Sequence, residues 1–148
     1  MSYQNFVGYA GDILAVDTYA LLEGDSTSVL IDVRTQAEWS YVGVPDIQAL
    51  GKRPFFLEWQ SYPSMAVDAN FTARLEALLQ SGGVERGASL VFLCRSGARS
   101  RHAATAMTSA GWAPCLNVSD GFEGALGDSR QRGGVSGWKA GGLPWTQT

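Results

Sequence analysis

Histidine is almost missing from this chain and cysteine is scarce: one of the first and two of the second in 148 residues. So few imidazoles and thiols, set well apart, argue against a structural zinc site and against a disulfide framework. The thiols are therefore read as reduced and the protein as cytoplasmic. No apolar run approaches the roughly 20 residues needed to span a bilayer. The opening MSYQNFVGYAGDILAV lacks the basic-then-apolar order of a secretory signal. Positive charge is not in excess either, because the net charge is −3, which offers no general attraction for nucleic acid or anionic lipid. Repeats and internal linkers are absent as well.

What remains is the composition of a folded domain. Hydrophobic residues make up 45% and charged residues 17%, which excludes a disordered chain. The length suits one domain over 1–148. Val29 to Val33 and Leu90 to Leu93 are short apolar runs of the kind buried in parallel strands. Arg53 to Trp59 reads as a further strand, 60–69 as a loop, and Leu116 to Val118 as a short last strand. Between them lie helical segments: one over 17–22 with Asp17 as its cap, one opened by the capping box Thr35 to Glu38, one over 70–79, and one over 100–110. Strands alternating with helices predict an α/β fold, a parallel sheet covered on both faces.

The chemistry is concentrated in CRSGARSRHAA, Cys94 to Ala104. Here a cysteine ends an apolar strand, and Arg95, Arg99 and Arg101 follow with no acidic residue among them. The order strand, cysteine, small-residue loop, helix places Cys94 at the carboxyl edge of the sheet, where open α/β folds bind ligands. Gly97 permits the tight turn. Inward-pointing N–H groups and a helix N-terminus make such a loop a nest for an anion. Helix N-termini and neighbouring arginines favour a thiolate, so the arginines are read as keeping Cys94 ionised and attracting an anionic substrate. Positive charge at a helix start is a poor structural choice, which weighs against a purely structural cysteine. Two chemistries suit a cradled thiolate. Phosphate-ester cleavage requires cysteine, five residues, then a phosphate-gripping arginine, and the sixth position after Cys94 is Ser100. Sulfur transfer uses a shorter loop, and this loop has the shorter count.

With these residues in view, the chain resembles the rhodanese family of single-domain sulfurtransferases. The resemblance rests on Asp32-Val33-Arg34 followed by Glu38-Trp39, on Cys94-Arg95-Ser96-Gly97-Ala98-Arg99-Ser100, and on Asn117-Val118 leading to Gly121-Phe122-Glu123-Gly124. Gly137 to Trp145 is similar to the C-terminus of some bacterial members. The usual Gly-His-Ile-Pro-like stretch is here Gly43-Val44-Pro45-Asp46-Ile47, without the histidine. The resemblance implies a single rhodanese-like domain with a core over about 10–126 and a C-terminal extension over 127–148 that packs on it. It implies about five parallel strands with helices on both faces. It also implies a sulfurtransferase that moves sulfane sulfur from thiosulfate or a persulfide donor, through a Cys94 persulfide, to a thiol, cyanide or protein-thiol acceptor. No cofactor or metal is required, and neither nucleic acid nor membrane is expected as a partner. A sulfur-carrier or regulatory binding module without turnover is the alternative, although inactive modules commonly lack the loop cysteine that this chain keeps.

Around Cys94, the loop residues Arg95, Ser96, Gly97, Ala98, Arg99 and Ser100 form the expected substrate site. Arg95 and Arg99 are candidates for the sulfonate end of a donor or for salt bridges at the sheet edge. Ser96 and Ser100 either donate to the sulfur or cap the helix. Asp32, Arg34 and Glu38 are expected as structural support, with Arg34 and Glu38 spaced to pair across a helical turn. His102 lies too far along the helix to serve as a general base, and Cys115 is read as a buried, inert thiol. The aromatic stretch 55–65 is core plus loop, or else a wall beside the active-site loop. Of the 18 glycines, eight fall between Gly121 and Gly142; the large side chains Phe122, Trp138, Leu143 and Trp145 still predict that this tail wraps back over the domain.

Overall fold

In the computed structural model, residues 4–147 are described except residue 7, with residues 4–6 described by backbone alone. The elements of the first half are β1 (Gln4–Phe6), β2 (Tyr9–Ile13), α1 (Ala15–Gly24), β3 (Val29–Asp32), α2 (Gln36–Tyr41) and β4 (Val44–Pro45). A short 3-10 turn, Gln48–Leu50, leads to β5 (Phe55–Phe56), β6 (Gln60–Ser61) and β7 (Ala66–Val67). Then come α3 (Phe71–Ser81), β8 (Leu90–Leu93), α4 (Ala98–Ser109), β9 (Cys115–Val118), α5 (Gly137–Ala140) and β10 (Trp145–Thr146).

The two continuous apolar runs, β3 and β8, lie side by side, as runs buried on both faces should. The main sheet has the order β1-β2-β9-β8-β3-β5. Five of its strands are parallel, and β1 adds an antiparallel edge to β2. Alternation along the strands sorts the core into two layers. Ile31, Leu90 and Phe92 face α3 and α4, where they meet Leu75, Ala103 and Met107. Leu30, Val91, Leu93 and Leu116 face the other side, against Leu22 of α1 and Trp138 of α5. This is the α/β sheet with helices on both faces that the strand–helix alternation predicts.

The departures are local and have physical causes. β2 carries Gly11 and Asp12, which hide its strand character; it forms because β9 offers it a parallel edge. Helix α1 begins at Ala15, so Asp17 sits in its first turn instead of capping it. The cap comes from across the fold: Asp120 Oδ1 accepts the Ala15 N–H at 2.8 Å. The strand expected over 53–59 shrinks to Phe55–Phe56, since Pro54 has no N–H to add to a ladder. Past it, the Leu57 and Trp59 amides still bond to Asp32 and Val33 carbonyls. The loop expected over 60–69 contains the small β6–β7 hairpin. The box at the start of α2 is formed in full, Thr35 and Glu38 each accepting the other's backbone N–H.

Trp138 is fully buried and meets Tyr19 edge to face at 6.0 Å between ring centroids. Beyond it, β10 pairs with β4. No helix among the described residues is long and apolar enough to cross a membrane.

Candidate active site

Strand β8 ends at Leu93, and Cys94 follows at the carboxyl edge of the sheet, 1% exposed. The chain then turns through Arg95 to Gly97 into α4. Gly97 caps that helix with φ +108°, a conformation that L side chains rarely adopt. A Cβ there would also sit 2.6 Å from the Ser119 carbonyl oxygen. The turn after β9 clamps the loop from below: Phe122 N–H bonds to the Cys94 carbonyl at 2.8 Å, and the Glu123 and Gly124 amides share the Arg95 carbonyl.

Two donors address the sulfur. Gly97 N–H lies 3.2 Å from Cys94 Sγ and Ser100 Oγ lies 3.1 Å from it. Ser100 is therefore at the sulfur, whereas Ser96 is exposed and bonds to nothing among the described residues. Neither serine caps α4. In front of Cys94 opens a cavity of about 540 Å³ whose wall includes Arg95, Ser96, Ala98 and Arg99.

The charged residues are arranged differently from the sequence expectation. Arg34 does not pair with Glu38. Its Nε and Nη2 grip Asp32, with a closest approach of 2.7 Å and both side chains fully buried. Its Nη2 also reaches the Gly43 carbonyl at 2.8 Å, and its guanidinium lies 4.2 Å from the centre of the Phe122 ring. This cluster ties β3 to the turn that supports the Cys94 loop. Glu38 instead takes a two-pronged hydrogen bond from Arg99, at 2.7 and 2.9 Å. Burial works against the Glu38 carboxylate, but Arg99 and the Thr35 N–H and hydroxyl outweigh it and hold its pKa down to about 2. Arg99 is less exposed to water for the same reason; burial opposes its charge, and Glu38 more than compensates, raising its pKa.

Of the arginines that line the cavity, Arg95, in the loop, and Arg132, from the glycine-rich tail, have no carboxylate partner among the described residues. Arg132 donates to the Gly124 carbonyl at 2.6 Å and lines the cavity beside Glu123. Sequence reasoning missed both Glu123 and Arg132 as wall residues. Glu123 sits inside a recognisable motif, but nothing local in Arg130-Gln131-Arg132 points toward Cys94. The β6–β7 hairpin supplies Gln60, Tyr62 and Met65 to the opposite wall. Trp59 faces inward and packs edge to face on Phe71 at 4.9 Å.

His102 is exposed on α4. Cys115 opens β9 and pairs in register with Leu90, at the other end of β8 from Cys94, roughly 13 Å away along the strands. It is buried, donates to the Trp112 carbonyl at 3.2 Å, and burial pushes its thiol up to about 11. No group of three or more metal-ligating side chains occurs among the described residues.

Comparison with known proteins agrees with this geometry. The chain matches the Rhodanese-like domain family over residues 15–127. It is similar to an uncharacterized protein of Rickettsia rickettsii, 36% identical over 145 residues that cover 98% of each chain. Among solved structures it is similar to the crystal structure of Rv0390 from M. tuberculosis, with 43% identity, a TM-score of 0.84, and coverage of 95% of this chain and 99% of that one. It shares its fold with the polysulfide-sulfur transferase homodimer from Wolinella succinogenes, at 23% identity and a TM-score of 0.57, covering 92% of this chain and 77% of that one. A sheet-edge cysteine in a short loop, with the family match over most of the chain, makes this protein a member of the rhodanese-like domain family.

Proposed function

We propose that this protein is a sulfurtransferase whose nucleophile is Cys94 and whose donor is a small sulfur anion such as thiosulfate or a persulfide. The Cys94 thiolate attacks the outer sulfur of thiosulfate. The S–S bond of the donor breaks and sulfite leaves with the bonding pair, which leaves a persulfide on Cys94. In the second half-reaction an acceptor thiolate, or cyanide, attacks the outer sulfur. The Cys94–sulfur bond breaks, the pair returns to Cys94 Sγ, and the free thiolate is regenerated. The chain's own residues suffice for both steps. Free thiols suit a cytoplasmic, reducing setting.

One observation carries this reading: Cys94 Sγ sits beside a wide cavity in a loop that closes on Ser100, not on a phosphate-gripping arginine. Arg95 and Arg132 at the cavity, without carboxylate partners among the described residues, favour an anionic donor. The test is intact-mass measurement after incubation with thiosulfate, beside Cys94→Ser, followed by cyanide and a thiocyanate assay. The expected result is a gain of one sulfur atom on the unmodified protein only, discharged by cyanide. Loading by polysulfide without thiocyanate formation would instead assign a sulfur carrier without turnover. Hydrolysis of an aryl phosphate, lost in Cys94→Ser, would replace the proposal with phosphate chemistry.

A further inference from the structure

Behind Cys94 runs a line of buried hydrogen bonds that the proposed reaction does not by itself explain. Ser100 Oγ is 3.1 Å from Cys94 Sγ and 2.6 Å from Asn117 Oδ1. Asn117 Nδ2 in turn donates to Asp12 Oδ1 at 3.0 Å. Asp12 and Asn117 face each other across the parallel β2–β9 pair. Ser100 is 0% and Asn117 3% exposed, so water does not substitute for these partners.

The direction of the line is set by chemistry. An ionised carboxylate only accepts, so Asp12 must face the amide nitrogen of Asn117, which turns the carbonyl oxygen toward Ser100. Tyr9 also donates to Asp12 Oδ1, at 3.0 Å. Burial, then Asp12 itself, push the Tyr9 phenol up to about 12, so it stays a donor at working pH. A carbonyl oxygen cannot donate, and a serine hydroxyl has one proton. When Cys94 is a thiol, Ser100 gives that proton to Asn117 and accepts the S–H from Cys94, and every group is satisfied. When Cys94 is a thiolate, the sulfur needs the same proton, and Asn117 competes for it.

We infer that Asn117, oriented by Asp12, is a positioning residue that couples the charge on Cys94 to a turn of the Ser100 hydroxyl. The inference rests on the sulfurtransferase reading for its use in turnover. Ser100 turns to Sγ when Sγ is the attacking thiolate and again when it is the departing one. It turns back to Asn117 while the negative charge lies on the outer sulfur of the persulfide. The hydroxyl thereby follows the charge through both half-reactions.

Other charges around the sulfur lie outside this line. Arg95 flanks it in the loop, and Arg99 of α4 is held by Glu38 of α2. Asp32 of β3 is closed by Arg34, while Glu123 and Arg132 stand across the cavity. On β2, Tyr9 feels Arg101 from α4. Substitutions at Ser100 and Asn117 change none of these charges.

The test is the pH profile of Cys94 alkylation by iodoacetamide, followed by peptide mass spectrometry so that Cys115 is scored separately. Ser100→Ala removes the donor to the thiolate, and the midpoint is expected to move up by about one pH unit. Asn117→Leu is neutral and near in shape, and it removes the competing acceptor. Its midpoint is expected to move down by a comparable amount, with Asn117→Val as the substitute if the leucine variant does not fold. In Ser100→Ala/Asn117→Leu the downward shift should vanish, because no hydroxyl is left to release. Shifts of the same sign in both single variants, or a downward shift that persists in the double variant, would overturn the inference. Because alkylation needs no turnover, opposite shifts without thiocyanate formation would retain the hydroxyl switch and reject the sulfurtransferase reading. Thiocyanate formation without the shifts would do the reverse.

Discussion

Glu38 and Arg99 meet through two parallel hydrogen bonds at 2.7 and 2.9 Å, joining α2 to the first turn of α4 beside Cys94. Both side chains are more than four-fifths removed from water. The same carboxylate closes the capping box of α2. One ion pair thus fixes the start of two helices and the rim of the cavity.

The pair makes stability depend on acid. The Glu38 pKa is about 2 in the folded protein against an ordinary 4.5, so on acidification the unfolded chain takes up the proton first. The contribution is present in full above about pH 4.5 and is lost as the pH falls toward 2, for a total of about 3 kcal/mol. Glu38→Gln should therefore be less stable than the natural protein at neutral pH, and the gap should close toward pH 2. Urea unfolding at a series of pH values measures it. A gap that does not change with pH would assign the loss to packing, not to charge.

Gly97→Ala tests the loop. The residue has φ +108° and no room for a Cβ against Ser119. The substitution is expected to cost about 3 kcal/mol and to displace the N–H that addresses Cys94 Sγ. Thermal unfolding should report the first effect. Persulfide formation per folded molecule should fall more steeply than the folded fraction does.

Arg132→Ala separates the free arginines from the paired one. If Arg132 meets the donor anion, KM for thiosulfate should rise about tenfold with kcat little changed. Arg95→Ala should behave alike. Arg99→Ala should lower stability as well, since it leaves the Glu38 carboxylate partly buried without its partner. Steady-state kinetics with a melting curve for each variant distinguish these outcomes; an unchanged KM in Arg132→Ala would remove it from donor binding.

Much of this was legible in the sequence because its causes are local. Continuous apolar runs specify strands buried on both faces, and β3 and β8 are such runs. The spacing of Thr35 and Glu38 specifies a capping box, and the box is present. Cys94, Gly97 and Ser100 lie within seven consecutive residues, so one turn geometry brings them together. Where a local signal was weak or shared, the sequence pointed elsewhere. Arg34 and Glu38 have helical spacing, yet Arg34 precedes the helix and a closer carboxylate, Asp32, claims it.

By itself, then, the sequence determined the alternation of strands and helices, the cysteine at a sheet edge and the length of its loop, because each depends on neighbours within a few positions. Tertiary structure alone decided which charges pair and which stay free. It carried Asp120 to the N-terminus of α1, Arg99 to Glu38, Arg132 to the cavity wall, and Asp12 to Asn117 behind Cys94. Those partners are scattered along the chain. Only strand order and the packing of helices onto the sheet set such distances, and hydrogen bonds and ion pairs form according to distance in space.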